Sequence, residues 1–427
     1  MTFFGKRVTQ LTPEDIYWLV KARVQEGSDI EFKRALAARD GADDRWVVQG
    51  DSIGDHAKRD LIKEIVGFAN SRGGTLLLGI KEGKEKPSRA EAITLIPRVA
   101  ELADRLKMVC REQIEPALHN LEIAGIPIDS NGAGVVVFQI VGQSAFGPHR
   151  HRKDRECYVR RNDETVAMDM HEIRRLSVDL NEALQDIEDQ FKQQKAQFAN
   201  RHQLQLRRNH AFVARVDAIP LSRLDIPHLH RQELVRPRLT SIPLLHDDLP
   251  EEAFIPAHTN FEWRPQLRGT RGVASFGDRN RLTVDIYETG RASMEWASMR
   301  SQDRAGIYLA WLVGMFANAL LLVERIRLAA KSASSPFALQ FLLATWNPDA
   351  DATPLLPYRE HGFRTMGGVQ DGHHEFPRYE VPDVASFASL TSLFENDLIN
   401  FAGRDLPNSE SCFDFANSLK AIQESFT

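Results

Sequence analysis

The sequence predicts an α+β protein with an N-terminal domain of alternating helices and strands over residues 1–180, a helical connector over 181–201 and a second α+β domain over 202–427. Three observations lead there. Helical and strand periodicities alternate through the first 180 residues, the run EALQDIEDQFKQQKAQF that follows is polar and helical, and from His202 the composition shifts toward Pro and His. A chain of 427 residues is also too long for one ordinary core.

The elements follow in order. LTPEDIYWLVKARVQ has Thr12 at the N-cap, Pro13 at the first helical position and Glu14 and Asp15 in the first turn, a helix start. SDIEFKRAL reads as a strand, with a polar loop after it to about Asp55. HAKRDLIKEIVGFANSRGG places Leu61, Ile62, Ile65, Phe68 and Ala69 on one helical stripe and stops at Gly73-Gly74. TLLLGI suits a buried strand. The amphipathic helix in IPRVAELADRLKMVCREQI ends at Pro116, and strands at HNLEIAGIPI and GVVVFQIVG flank the turn DSNGAG. The basic run GPHRHRKDRE then leads to CYVRRNDETV and the helical MDMHEIRRL. In the second domain, RLTVDIYETGRASMEW alternates around Thr289-Gly290 as a hairpin, FALQFLLATW reads as a strand and SLFENDLINFAG as a helix. No motif in that domain converts into chemistry.

Composition narrows the function classes. With a net charge of -5 and a pI near 6.3, the chain as a whole is no polyanion binder, so any such site is a local patch. Cys110, Cys157 and Cys412 are widely spaced and form no CxxC pair, which argues against a disulfide framework or a Cys-rich zinc site and fits a reducing cytoplasm. MTFFGKRVTQ lacks the apolar run of a signal peptide. Gly306 to Val323 carries no charge, but Asn318 lies inside it, and Arg304, Glu324, Arg325 and Arg327 flank it. It reads as a buried helix at a domain or subunit interface, with no membrane involved.

The stretch EGSDIEFKR, from Glu26, holds the densest chemistry. On a strand, Asp29, Glu31 and Lys33 share one face while Ile30 and Phe32 face the core. An acid two residues before a lysine can hold a divalent cation and steady a phosphate, and a turn at Gly27 brings Glu26 to the same cation. The same pattern also suits an edge strand defended by charge. Downstream, Glu82 follows the strand TLLLGI, while Asn70 and Gly73-Gly74 either cap a helix or let backbone amides approach a phosphate or nucleotide. Between Pro148 and Arg161, Arg150, Arg152, Lys153, Arg155, Arg160 and Arg161 form a positive segment. It either tracks a sugar-phosphate backbone or pairs with the acidic connector. His149 with His151, His228 with His230, and His373 with His374 lack a third ligand and read as polar contacts.

Taken in order, EGSDIEFK, GFANSRGG, TLLLGIKE and YVRRNDETV resemble the Schlafen AlbA-like domain over about residues 10–180. The resemblance implies a carboxylate triad of Glu26, Glu31 and Glu82 holding Mg2+ or Mn2+, with Lys33 in the ExK position and RNA cleavage as the activity. Glu82 stands where active relatives usually carry Asp, and the loop AARDGADDRWVVQGDSIG is longer than theirs. The expected function is therefore a metal-dependent endoribonuclease on structured RNA such as tRNA, a bacterial antiviral effector with a defence-system partner protein. Arg150, Arg152, Lys153, Arg160 and Arg161 would grip the RNA. Nuclease cores of the family pair two such lobes and this chain holds one, which implies a homodimer or higher homo-oligomer, with the apolar helix as an interface. The alternatives are a non-catalytic DNA-binding or ATP/nucleotide-binding regulator, and an assembly scaffold.

Overall fold

The computed structural model describes residues 7–48, 52–118, 121–142, 146–206, 210–222, 224, 226, 261–276, 280–299, 306–330, 332, 335–347, 351–356, 367–403 and 415–426. The protein is a mixture of helix and sheet, as an α+β class requires. The chain divides into two units, residues 1–185 with 331–335, and residues 186–330 with 336–427.

The first unit contains helices α1 (Pro13–Lys21), α2 (Arg45–Val48), α3 (Asp55–Ala69) and α4 (Val99–Gln113). Its strands are β1 (Ile30–Lys33), β2 (Gly73–Leu78), β3 (Ile80–Glu82), β4 (Ala90–Ile93), β5 (Ile114–Glu115), β6 (Leu121–Pro127), β7 (Gly134–Val141), β8 (Arg150–His151), β9 (Tyr158–Arg161) and β10 (Glu164–Ala167). The main sheet runs β1-β2-β7-β6, with β1 parallel to β2 and the other pairs antiparallel. A parallel pair needs a crossover, and α3 supplies it.

Sheet burial explains the apolar run in β2. Leu76 and Leu78 join a core with α3 and α4, while Leu77 joins a second core with α1 on the opposite face. Covered on both faces, the strand has no polar side. At the start of α1 the Asp15 carboxylate accepts the Thr12 N–H at 2.9 Å, the cap that Thr12 predicts. The polar loop after β1 is more structured than its composition suggests. Within it, α2 buries Trp46 completely, and the indole N–H donates to the Pro97 carbonyl at 2.9 Å.

The helical segment at MDMHEIRRL and the polar run after it form one helix, α5 (Met170–Leu206), because no Pro or Gly interrupts residues 170 to 206. The boundary between the units falls inside it.

The second unit contains β11 (His210–Pro220), β12 (Glu262–Gln266), β13 (Gly269–Phe276), β14 (Asn280–Tyr287), β15 (Ala292–Met299), β16 (Ile307–Tyr308), α6 (Leu309–Ala329), β17 (Phe337–Thr345), β18 (Ala352–Leu356), β19 (Gly368–Gln370), β20 (Gly372–Val381), α7 (Phe387–Phe401) and α8 (Phe415–Glu424). A seven-stranded antiparallel sheet runs β12-β13-β14-β15-β11-β17-β20. β14 and β15 form the hairpin expected around Thr289-Gly290.

α6 is buried, as its apolar run predicts, and its cover comes from its own unit. Its most apolar window is 94% buried inside the fold. Leu312, Phe316 and Leu320 share one core with Val284 and Met294 of the sheet, and Phe316 stacks on Phe394 of α7 at 4.3 Å. Even Arg327 is buried, donating to the Val381 and Pro382 carbonyls. The apolar girth of this helix is consumed by its own sheet and α7, so it leaves little face for a second subunit.

Candidate functional site

β1 lies at the edge of its sheet, and the stretch that precedes it closes that edge. Along β2 the bonds include Thr75 N–H to the Asp29 carbonyl at 2.8 Å and Gly79 N–H to the Lys33 carbonyl at 2.7 Å. On the outer side, Phe32 N–H donates to Glu26 Oε1 at 2.7 Å, and the Ile30 carbonyl accepts the Gly27 N–H at 3.1 Å. A turn at Gly27 thus folds Glu26 back along the strand and blocks pairing with another chain. The β3–β4 hairpin closes from the other side, where Glu26 N–H donates to the Ser88 carbonyl at 2.9 Å.

Glu26 therefore lies within electrostatic reach of Glu31 and hydrogen-bonding reach of Glu82. Glu26 is 9% exposed, Glu31 is half-buried, and Glu82 lies at the surface. Burial pushes the Glu26 carboxyl up to about 8, and the Glu31 charge and the Glu82 carboxyl within hydrogen-bonding reach add to the rise, against the Phe32 N–H. Burial also raises Glu31, more than Arg160 lowers it.

The face of β1 that carries Glu31 and Lys33 meets α3. Lys33 Nζ pairs with Asp60 Oδ2 at 3.0 Å and Glu64 Oε1 at 3.6 Å. Burial pulls Lys33 down, but the carboxylates of Asp60, Glu64 and Glu31 outweigh it and leave the amine raised. Glu64 also accepts from Thr165 Oγ1 at 2.5 Å and Arg160 Nη1 at 3.4 Å. Asp60, Glu64 and Thr165 went unread in the sequence. The available signal was Glu64 itself, a charge within the apolar stripe of Leu61, Ile65 and Phe68.

Asn70 and Gly73-Gly74, read as either a helix cap or a phosphate or nucleotide contact, have clear structural roles. Asn70, buried, donates to the carbonyls of His149 at 2.7 Å and Tyr158 at 2.9 Å and accepts the His149 N–H at 2.7 Å, so its amide is consumed in latching the basic segment to α3. Gly73 has φ 76°, and a Cβ on Gly74 would meet the Phe68 ring at 2.4 Å and the Asp29 carbonyl oxygen at 2.7 Å. These glycines allow β2 to pass close to α3 and β1, and both are paired with β7. Neither group forms a phosphate cradle here.

The basic segment divides. Arg160 is the correction: its side chain is 1% exposed and bonds Glu31 Oε2 at 2.6 Å, so it is not presented to a polyanion. Arg150, Arg152, Lys153 and Arg161 are exposed as expected. Arg150 pairs with Glu115 at 3.1 Å, Lys153 with Asp55 at 3.7 Å and Arg161 with Glu172. Asp154 joins Arg59 of α3 at 2.6 Å, which fastens the segment to the helix that carries Asp60 and Glu64. His149 and His151 are buried, with His149 Nδ1 2.8 Å from the Pro116 carbonyl oxygen. His228, His230 and Cys412 lie outside the described residues. Cys110 and Cys157 are free thiols.

Residues 26–169 match the family model described as Schlafen, AlbA_2. The N-terminal domain is Schlafen AlbA-like. The match opens on Glu26 and ends at Asp169, just before α5, so it takes in every residue of the acidic cluster. A comparison with curated proteins finds no match. For this Schlafen AlbA-like domain the family indicates a nucleic-acid-binding or nuclease-like function. The donor set of Glu26, Glu31 and Glu82 is all carboxylate oxygen, which suits a hard divalent cation, and burial first, then the neighbouring Glu31 and Glu82, hold a proton on Glu26 well above the usual range. Among the described residues no three His, Cys, Asp or Glu side chains are already gathered closely enough to hold an ion, and one oxygen of Glu31 belongs to Arg160.

Proposed function

We propose that the site is that of a metal-dependent endoribonuclease acting on structured RNA such as tRNA, of the kind deployed with a partner protein in antiviral defence. The observation that carries this reading is the placement of the Glu26 carboxyl beside Glu31 and within hydrogen-bonding reach of Glu82 at the closed edge of β1, where acids outnumber bases. Glu26 and Glu82, with the second oxygen of Glu31, would hold Mg2+ or Mn2+. A bound cation of this type activates a water and stabilises the leaving oxygen of a phosphodiester. Lys33 and Arg160 offset part of the negative charge from the α3 side, which lowers the repulsion a phosphate meets on approach. Arg150, Arg152, Lys153 and Arg161 would hold the backbone through exposed, salt-sensitive contacts. A homodimer would supply a second lobe, and solution mass measures that directly.

One observation favours the non-catalytic alternative, a DNA-binding or nucleotide-binding regulator: Glu31 is already bonded to Arg160. Incubation of the purified protein and of Glu31→Ala with total tRNA and with single- and double-stranded DNA, with and without Mn2+, separates the two. Mn2+-dependent tRNA cleavage that disappears in the variant is the expected result. Salt-sensitive binding with no cleavage by either protein would transfer the site to the regulator class.

A further inference from the structure

A single guanidinium ties the acidic arms of this site together. Arg160 Nε and Nη2 both donate to the Gly27 carbonyl, at 3.2 and 3.0 Å. Nη2 also reaches the Ile30 carbonyl at 3.4 Å and Glu31 Oε2 at 2.6 Å, while Nη1 reaches Glu64 at 3.4 Å. The Phe68 ring lies under the guanidinium, 4.5 Å from its centroid. At the other end, the Arg160 backbone N–H donates to Ser71 Oγ at 2.9 Å, which fixes β9 against the end of α3.

The two carbonyls bracket the turn that carries Glu26, and the carboxylate belongs to the strand that follows it. Besides Arg160, backbone contacts hold this segment, Gly27 N–H to the Ile30 carbonyl, Glu26 N–H to the Ser88 carbonyl and Thr75 N–H to the Asp29 carbonyl, together with Phe32 N–H to Glu26 itself, and of all these only Arg160 also grips Glu31. We infer that Arg160 is a positioning residue of the acidic site. By holding the Gly27 and Ile30 carbonyls and Glu31 Oε2 on one planar fork, it sets the spacing of the Glu26 and Glu31 carboxylates and leaves Glu31 one oxygen to offer a divalent cation. The inference rests on the cation-binding reading above. Most of the anchors of this guanidinium are independent of Glu31, so it stays in place when the carboxylate takes up an ion. Lysine, a point charge on a flexible stem, cannot reproduce the fork.

The test uses the full chain and Arg160→Lys, which keeps the charge. Two quantities are read without nucleic acid: hydrogen exchange of the Phe32 amide relative to Leu77 and Phe138, and Mn2+ affinity by electron paramagnetic resonance. The expected result is a folded variant whose Phe32 amide exchanges about tenfold faster while Leu77 and Phe138 hold, with Mn2+ affinity weakened about tenfold. If that variant does not fold, Phe68→Leu, which removes the ring beneath the guanidinium, moves both quantities the same way by about threefold. Unchanged Mn2+ affinity in a folded Arg160→Lys overturns the inference, whatever the exchange shows, because Arg160 is then only structural. If the wild-type protein binds no Mn2+, the cation reading falls, and Phe32 exchange alone decides whether Arg160 sets the turn: faster supports it, unchanged overturns it.

Discussion

Each unit of the protein buries an arginine among carboxylates, and the two networks differ in balance. In the second unit Arg215 bonds Asp217 at 2.8 Å and Glu295 at 3.4 Å, Arg201 pairs with Glu295, and Arg271 holds Asp285 at 2.6 Å. With Arg291 also lowering Asp217, four arginines face three acids there among the described residues, and Gln194 of α5 fills a remaining donor of Arg215. Around Arg160, among the described residues, only Lys33 and Arg160 face Glu26, Glu31, Asp60, Glu64 and Glu82. Both networks perturb their carboxylates: burial raises Asp217, and burial raises Glu26. A raised carboxyl alone therefore does not mark a functional site. An unbalanced surplus of acid, reaching the surface at Glu82, is the feature on which the proposed cation site rests.

The largest expected effect tests the balanced side. Arg215→Ala leaves Asp217, which is 2% exposed, as a buried charge without its partner, and should cost about 3–5 kcal/mol. Denaturant unfolding of the second unit measures it, and Mn2+ binding should be untouched. A loss below about 1 kcal/mol would mean the network is not closed as described.

Next comes the surplus. The Glu26 carboxyl is raised from its ordinary 4.5 to about 8, so the folded state holds a proton that the unfolded chain releases earlier. The stability this gives is complete below about 4.5 and is lost as pH rises through about 8. With about 1.4 kcal/mol per unit as a ceiling, wild-type stability in chelator should fall by a few kcal/mol between about pH 5 and pH 9. Glu26→Gln, which stays neutral, should flatten that slope. An equal slope in both proteins would place the acid surplus elsewhere.

Glu82→Gln should separate folding from ligand binding still more cleanly. Its side chain is exposed, so stability should change by less than about 0.5 kcal/mol, while the rise in melting temperature on adding Mn2+ should shrink or vanish. A full Mn2+ response in the variant would confine the cation to Glu26 and Glu31, and the methylene by which Glu82 exceeds the expected Asp would then be the reason.

The sequence makes the near half of this site legible and hides the far half. Strand alternation separates Glu31 and Lys33 from Ile30 and Phe32, and Gly27 signals the turn that returns Glu26, because both are local effects of period and backbone freedom. The Arg160 fork joins residues 129 apart in the chain, and alternation on β9 parts Arg160 from the exposed Arg161 without saying what the Arg160 face meets. Asn70 and Gly73-Gly74 were ambiguous for another reason: a helix end and a phosphate cradle draw on the same residue types. For α6, an apolar girth says that the helix is covered, and only the tertiary fold says by what.

The smallest expected effect concerns the exposed arginines and lysine, where the contrast with Arg160 is sharpest. Lys153 is exposed, and its only partner among the described residues is Asp55 at 3.7 Å, a surface pair of little energetic weight. Lys153→Ala should therefore leave stability within about 0.5 kcal/mol, yet lower the slope of log affinity against log salt for RNA by about one. Arg160→Lys, which replaces a guanidinium that meets carboxylates and carbonyls instead of solvent, should leave that slope unchanged. A slope that drops in the Arg160 variant and holds in the Lys153 variant would place Arg160, and not Lys153, against the RNA.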